Sequence, residues 1–271
     1  MTEKLTSASC DLPLFVPANK LNRLHKALQV AHDAVIVDFE DAVPANDKRS
    51  ARDALADASA VLENSRVSVF VRVNAVATDF HADDVALCVG LPLAGIMLPK
   101  AETGDQLAQL RARQPEGRFC LALVETAAGI SNLRRIAPEA DRIAFGSIDY
   151  CADLGCDLNR LALLQARQLL VLESRLAALP APLDGVTTQI HDRDAVRDDA
   201  CHAAVLGFGG KLLIHPAQIA PAREGFAPSP ESIEWAEKVL AANQGGAVAL
   251  NGEMIDEPVL IRARAVLARV V

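Results

Sequence analysis

The chain has 271 residues, of which 51% are hydrophobic, 23% charged and 4% aromatic, and its 27 Lys and Arg against 35 Asp and Glu give a formal charge of -8. This is the composition of a folded globular chain, and its acidity provides no overall basic field for nucleic acid or an anionic membrane. An acidic ligand therefore needs a locally built basic pocket. The longest apolar runs, such as Cys120 to Val124 or Leu169 to Leu172, fall far below the ~18 residues of a membrane-spanning helix. Met1-Thr-Glu-Lys-Leu runs into Asp11 and Pro13 without an apolar core, so no secretory signal is expected and the expected compartment is the cytoplasm. Six cysteines, Cys10, Cys88, Cys120, Cys151, Cys156 and Cys201, contain no C-x-x-C pair and read as idle reduced thiols.

In chain order, short apolar runs at Leu14 to Val16, Ala34 to Val37, Val67 to Val73, Gly95 to Leu98, Cys120 to Val124, Ile143 to Phe145, a weaker one at Pro182 to Val186, and Lys211 to Ile214 read as buried parallel strands. Amphipathic stretches separate them: Leu21 to Leu28, Ala51 to Leu55, Leu107 with Leu110, Ile130 to Ile136, and Ala162 to Leu179. Regular alternation of strand and helix implies a parallel sheet with helices outside, and eight such units predict a (β/α)8 TIM barrel. No Pro/Gly/Ser-rich linker divides the chain. The barrel core is assigned to residues 1-225, and residues 226-271 to the last barrel helix, starting at Ser229-Pro230-Glu231, and a C-terminal helical lid. In that lid Asn243 to Ala249 breaks the helix, and Gly252 to Pro258 leads into a second amphipathic stretch, Val259 to Leu267.

Nearly every strand ends in a residue capable of chemistry. Strand two ends at Asp38-Phe-Glu40-Asp41, strand three carries Arg72 and Asn74, strand four ends Leu98-Pro-Lys100-Ala-Glu102, and strand five ends at Glu125. Strand six ends at Gly146-Ser-Ile-Asp149, strand seven at Asp184-Gly185, and strand eight at His215-Pro216. Intervals from Glu40 through Arg72, Lys100, Glu125, Asp149, Asp184 and His215 are 32, 28, 25, 24, 35 and 31 residues. A barrel of about 250 residues gives about 31 per unit, with its active site at the carboxyl ends of the strands. The polar groups are thus expected to converge on one rim.

Each of these groups also has an ordinary structural use. Asp149 and Asp184 sit where a helix cap is needed, Lys100 reads equally as a surface charge, and His215 as a packed histidine. Glu125 is different, because a carboxylate emerging from Cys-Leu-Ala-Leu-Val requires a cation or several donors. Arg72 in Val-Phe-Val-Arg-Val-Asn is the same anomaly with opposite sign. Glu125 and Asp149, with no His beside them, offer hard oxygen ligands suited to Mg2+ completed by water and substrate oxygens. An Arg facing that ion would hold a substrate carboxylate while the metal polarises a neighbouring carbonyl, a route to enolate stabilisation. Thr126-Ala-Ala-Gly129 and Gly146-Ser147 leave room and backbone N–H groups for an anion. No Lys is read on an apolar strand interior, so a Schiff-base aldolase is disfavoured.

The run Leu14-Phe-Val-Pro, Asp38-Phe-Glu-Asp-Ala-Val-Pro with Lys48 and Ala51-Arg52, Val71-Arg-Val-Asn, Leu98-Pro-Lys-Ala-Glu, Val124-Glu-Thr-Ala, Phe145-Gly-Ser-Ile-Asp149, Gly207-Phe-Gly-Gly-Lys with Ile214-His-Pro-Ala-Gln, and Gly252-Glu-Met-Ile-Asp-Glu-Pro resembles the citrate lyase beta-subunit-like (CitE-like) family of the HpcH/HpaI aldolase group. The resemblance extends from about Leu14 to Leu267, departing at Val16-Pro-Ala18, where the family commonly has Val-Pro-Gly. It implies a Mg2+-dependent carbon-carbon lyase that cleaves or forms 3-hydroxyacyl thioesters of the citryl-, malyl- or citramalyl-CoA type. By position it makes Glu125 and Asp149 the metal ligands, Arg72 the clamp on a small keto acid, and Glu40, Asp41 and Lys100 substrate-binding support. Asp256 becomes the lid's catalytic acid or base, reaching over a neighbouring subunit of a trimer or hexamer, although local spacing alone makes it a helix cap. The alternatives are a beta-type subunit active only with an acyl carrier protein, a free keto-acid aldolase, and a non-catalytic ligand-binding barrel.

Overall fold

The computed structural model describes residues 10–31, 33–242, 248–250 and 253–270. Its frame is an eight-stranded, wholly parallel sheet in sequential order: β1 (Leu14–Pro17), β2 (Ala34–Asp38), β3 (Ser68–Arg72), β4 (Gly95–Leu98), β5 (Phe119–Val124), β6 (Arg142–Phe145), β7 (Leu183–Asp184) and β8 (Gly210–Lys211). The sheet is curled, and β1 is joined to the segment that follows β8. Leu14 bridges Leu213 in parallel, the N–H of Phe15 donates to the Leu213 carbonyl at 2.8 Å, and the N–H of Leu213 to that of Pro13 at 3.0 Å.

Alternation along each strand sorts the apolar residues into two layers. Leu14, Val35, Val37, Val69, Val71, Ile96, Ala122 and Ile143 belong to the large core between sheet and helices. Ala34, Ile36, Phe70, Met97, Leu121, Leu123, Ala144, Leu183 and Leu212 fill the concave interior. The same parity carries Asp38, Arg72 and Glu125 to the inner face at the carboxyl ends of β2, β3 and β5. At the amino ends the buried Arg142 pairs with Asp11 at 2.8 Å and donates to the carbonyls of Cys10 and Ala181 at 3.0 and 2.9 Å. The interior is therefore closed by side chains at one end and polar at the other.

Helices cover the outside: α1 (Leu21–Val30), α2 (Lys48–Asp57), α3 (Ser59–Glu63), α4 (His81–Gly90), α5 (Gly104–Arg113), α6 (Ala127–Ser131), α7 (Leu133–Ile136), α8 (Ser147–Leu154), α9 (Arg160–Leu176), α10 (Arg193–Leu206) and α11 (Ile219–Phe226). Caps set their starts. Thr103 and Gln106 form a reciprocal capping box on α5, and Asn159 and Asp192 cap α9 and α10.

Beyond them lie α12 (Pro230–Ala241), a short antiparallel pair β9 (Val248–Leu250) and β10 (Glu253–Ile255), and α13 (Glu257–Leu267). Ser229 caps α12 as its sequence predicts, but the partners of α12 differ from those expected of a last barrel helix. Its Ala236 and Val239 join Ile255, Leu260, Ala263 and Val266 in a cluster separate from the main core, and α11 puts Ile219 and Ala222 against that core instead. The expected break at Asn243 and the glycine Gly252 fall outside the described residues. Among the described residues no helix is long and apolar enough to cross a membrane.

Candidate functional site

A cavity of about 430 Å3 opens at the carboxyl end of the sheet, lined on one side by Asp38, Asp41, Arg72, Glu125 and Asp149 and on the other by Phe15, Leu123, Val186, Leu212 and Ile214. The strands β2, β3 and β5 deliver Asp38, Arg72 and Glu125 by the inward parity of their interior residues, Asp41 comes from the loop after β2, and Asp149 from the start of α8.

Arg72 is the hub. Its Nε and Nη2 donate to Asp38 Oδ1 and Oδ2 at 2.7 and 2.8 Å, a two-bond contact on the inner edge of the guanidinium. The outer edge faces two further carboxylates, with Nη1 3.0 Å from Glu40 Oε2 and Nη2 3.5 Å from the exposed Asp41. The guanidinium lies over the Phe15 ring, 5.0 Å from its centroid. Burial opposes its charge, yet the carboxylates outweigh burial and hold Arg72 protonated more firmly than an ordinary arginine.

Glu40 is buried and bridges two cations. Oε1 accepts from Lys100 Nζ at 2.6 Å, whereas Oε2, although near Arg72, lies off the donor line and has no hydrogen-bond partner. Burial raises the Glu40 carboxyl, partly offset by Arg72 and Lys100. Lys100 itself has φ +47°, a left-handed backbone that strains a residue with a side chain. That backbone aims its N–H at Glu125 Oε1, 2.9 Å away. Burial pulls the Lys100 ammonium down, but Glu40 more than compensates and raises it.

Glu125 is 1% exposed, and among the described residues that backbone N–H is the one donor that meets its carboxylate. Burial, reinforced by the charges of Glu40 and Asp149 and eased by Arg72, pushes its carboxyl up to about 8. Gly146 makes room for it: a Cβ there would stand 2.3 Å from Glu125 Oε2. Asp149 sits half-buried in the first turn of α8, whose start has no side-chain cap, so it lines the cavity instead of capping its own helix. Among the described residues no group of three or more His, Cys, Asp or Glu surrounds a single point. Two carboxylates, one deeply desolvated and short of donors, with oxygen ligands only, suit a hard ion that keeps several waters.

Other expected groups lie elsewhere. Asp184 points into the helical layer, where Arg167 of α9 pairs with it at 2.9 Å. His215 accepts from the N–H of Ala217 and packs edge-on against His191, 5.3 Å between centroids. At Thr126 to Gly129 two of the N–H groups are already used, by Asp153 on Ala127 and by Thr126 on Gly129. Asp256 caps α13, accepting from the N–H of Val259 at 3.3 Å, and is not among the residues lining this cavity.

Three residues that sequence reasoning left unassigned complete the site. Asp38 orients Arg72. Lys48, buried on α2, donates to the carbonyls of Phe39 and Glu40 and to Asn74 Oδ1 at 2.5, 2.6 and 2.7 Å, pinning the loop that carries Glu40. Asn74 is held in turn by Asp84, which Arg52 pairs at 2.9 Å. Lys211 corrects the expectation that no lysine lies within a strand. It is 1% exposed on β8, but it alternates with inward Leu212 and donates outward, to the Gly185 carbonyl and Thr187 Oγ1 at 2.7 and 2.9 Å, away from the cavity.

A parallel α/β sheet whose carboxyl end gathers an arginine, two lysines and five acidic groups has the charged, cavity-lining cluster of an enzyme site. The comparisons narrow this. Residues 12–216 match the HpcH/HpaI aldolase/citrate lyase family, and the chain belongs to it, which makes it a carbon-carbon lyase. It is 38% identical over 272 residues to the citrate lyase subunit beta-like protein of Deinococcus radiodurans, covering 94% of this chain and 95% of that protein. It is 31% identical over 282 residues to the mitochondrial citramalyl-CoA lyase of Homo sapiens, covering 93% and 82%. The structure of CitE from Mycobacterium tuberculosis in complex with magnesium, acetoacetate and coenzyme A superposes with a TM-score of 0.87 at 34% identity, over 97% of this chain and 99% of that one.

Proposed function

We propose that this chain is a Mg2+-dependent lyase of 3-hydroxyacyl thioesters of the citryl-, malyl- or citramalyl-CoA type, built on a closed (β/α)8 barrel, residues 1-225, with a C-terminal lid, residues 226-271. The meeting of β1 with the segment after β8 supports closure. The observation that carries the function is Glu125, a carboxylate buried beside Asp149 and Glu40 with too few donors of its own, next to an arginine already oriented by Asp38.

Glu125 and Asp149 would hold the ion, as the magnesium in the related CitE complex supports. Bound there, Mg2+ supplies Lewis-acid polarisation of a keto-acid carbonyl. The chain's own residues do the rest. Arg72 presents its outer edge, Nη1 and Nη2, to the keto-acid carboxylate, which takes the place of Asp41 and engages the face now turned to Glu40. Lys100 fixes Glu40 through its side chain and Glu125 through its backbone, so one strained residue sets two carboxylates. Leu123, Val186 and Leu212 exclude water from the opposite wall. Asp256, on the lid, moves the proton at the thioester α carbon, and because it is absent from its own chain's cavity it acts in the site of a neighbouring subunit of a trimer or hexamer.

Coenzyme A in the CitE complex supports a CoA thioester as substrate, while the subunit beta-like name of the D. radiodurans relative favours a second reading, a subunit that needs an acyl carrier protein. Purified protein with Mg2+ is tested against citryl-, malyl- and citramalyl-CoA, following the keto acid and the shorter acyl-CoA. Turnover of one of them by the isolated chain is expected. Turnover only after adding a carrier protein bearing the acyl group would establish the second reading, and none with either would sink both.

A further inference from the structure

The helix α8 ends on Gly155 in the left-handed conformation, φ +73°, and the N–H of Cys156 closes back on the carbonyl of Cys151 at 3.1 Å. This six-to-one bond turns the chain so that the side chains at its two ends touch, usually as an apolar contact that seals the helix end. Two other helices here finish the same way: Leu179 closes on Ser174 behind the left-handed Ala178, and Phe208 on Ala203 behind the left-handed Gly207. At α8 the two positions that this closure brings together are both cysteines, Cys151 and Cys156. Cys151 is buried and Cys156 half-buried at the edge of the main core, so Cys156 is the thiol a small oxidant meets first.

We propose that Cys151 and Cys156 are a modification site, an oxidisable dithiol that closes into an intramolecular disulfide when a peroxide is present and reopens with a dithiol reductant. The backbone closure supports this, because a bridge requires two cysteines at close approach, and the six-to-one bond folds the chain back so that Cys156 returns to Cys151. In the first step the Cys156 sulfur gives two electrons to hydrogen peroxide and takes one of its oxygens, forming a sulfenic acid as one water leaves. The Cys151 sulfur then attacks that sulfur, the sulfur–sulfur bond forms, and the hydroxyl departs with the Cys151 proton as a second water. The sum is two thiols and one peroxide giving one disulfide and two waters. Reduction by dithiothreitol returns both thiols and leaves the reductant as its cyclic disulfide.

The test uses the full chain with the exposed Cys201 changed to Ser, which removes the readiest competing thiol. Protein freed of reductant is treated folded with hydrogen peroxide, the peroxide is quenched with catalase, and the chain is then unfolded and alkylated so that the buried Cys151 also reacts, and mapped by peptide mass spectrometry. The expected result is loss of both alkylatable thiols and a peptide joining Cys151 to Cys156, lighter by the two thiol hydrogens and reopened by dithiothreitol. With Cys151→Ser added, the reaction should stop at a Cys156 sulfenic acid that dimedone captures. Recovery of both thiols free under peroxide, or a crosslink that forms only after unfolding in urea, would overturn the proposal.

Discussion

At the scale of single residues, the arginine shows how the site divides labour. Arg72 spends its inner edge on Asp38 and keeps its outer edge for exchangeable partners, since Asp41 is exposed and 3.5 Å away and Glu40 is off-line. A lysine at this position would retain charge but could not span both oxygens of Asp38 and still reach outward, because an ammonium is a point donor on a flexible stem. Arg72→Lys is therefore expected to fold normally and to lose about 2 to 5 kcal/mol of transition-state stabilisation, the range for breaking one partner of a buried charge pair. Steady-state kcat/KM on the thioester that the wild type turns over, with circular dichroism as the fold control, checks this; turnover within a few-fold of wild type would place the carboxylate clamp elsewhere. Arg72 and Glu125 were visible in the sequence because each interrupts an apolar run. Lys48 entered only through the family resemblance and without a role, since Asn46-Asp47-Lys48-Arg49 reads as a solvated helix start and its acceptors come from β2's loop and from Asn74.

At the scale of elements, strands β2 to β6 were legible because each is a run of four or more buried residues. The strands β7 and β8 shrink to two residues apiece, and side chains reinforce the short backbone ladder that pairs them. Lys211 ties β8 to Gly185 and Thr187, Gln218 donates to the Thr187 carbonyl at 2.8 Å, and Thr187 donates to Asp199 of α10. None of these pairings is periodic in sequence, which is why Asp184, beside them, was assigned to the rim when it pairs with Arg167 in the helical layer. Burial lowers the Lys211 ammonium to about 8, with Asp184 and Asp199 limiting the drop. Between pH 8 and the ordinary lysine range near 10.5 the unfolded chain holds a proton that the folded one has released, so stability contributed at this position rises with pH in that window and its cost is full below pH 8. Lys211→Met removes the effect. Its stability relative to wild type should fall by on the order of 2 kcal/mol between pH 7.5 and 9.5. Urea unfolding at the two pH values measures this, and a pH-independent difference would contradict the buried, desolvated lysine.

At the scale of the whole molecule, the curled sheet presents one polar end and the C-terminal pair α12 and α13 forms its own small core. The separate core explains why the sequence suggested a lid while assigning α12 to the barrel: its apolar stripe is genuine, but α13 covers it. Asp256 starts α13 and caps it, so the catalytic role proposed for it would require a second copy. If it works across subunits, mixing Asp256→Ala with Arg72→Ala should restore part of the activity that each lacks alone. Failure despite subunit exchange demonstrated by labelled protein would remove the trans arrangement. The central claim remains the carboxylate pair at the polar end. Calorimetric titration of Mg2+ into wild type, Glu125→Gln and Asp149→Asn, with and without oxaloacetate, tests it directly. Wild type should bind the ion weakly alone and more tightly with the keto acid, because Mg2+ dehydrates reluctantly and gains oxygens from the substrate, while both variants lose that enhancement; unchanged Mg2+ binding in both variants would contradict the assignment.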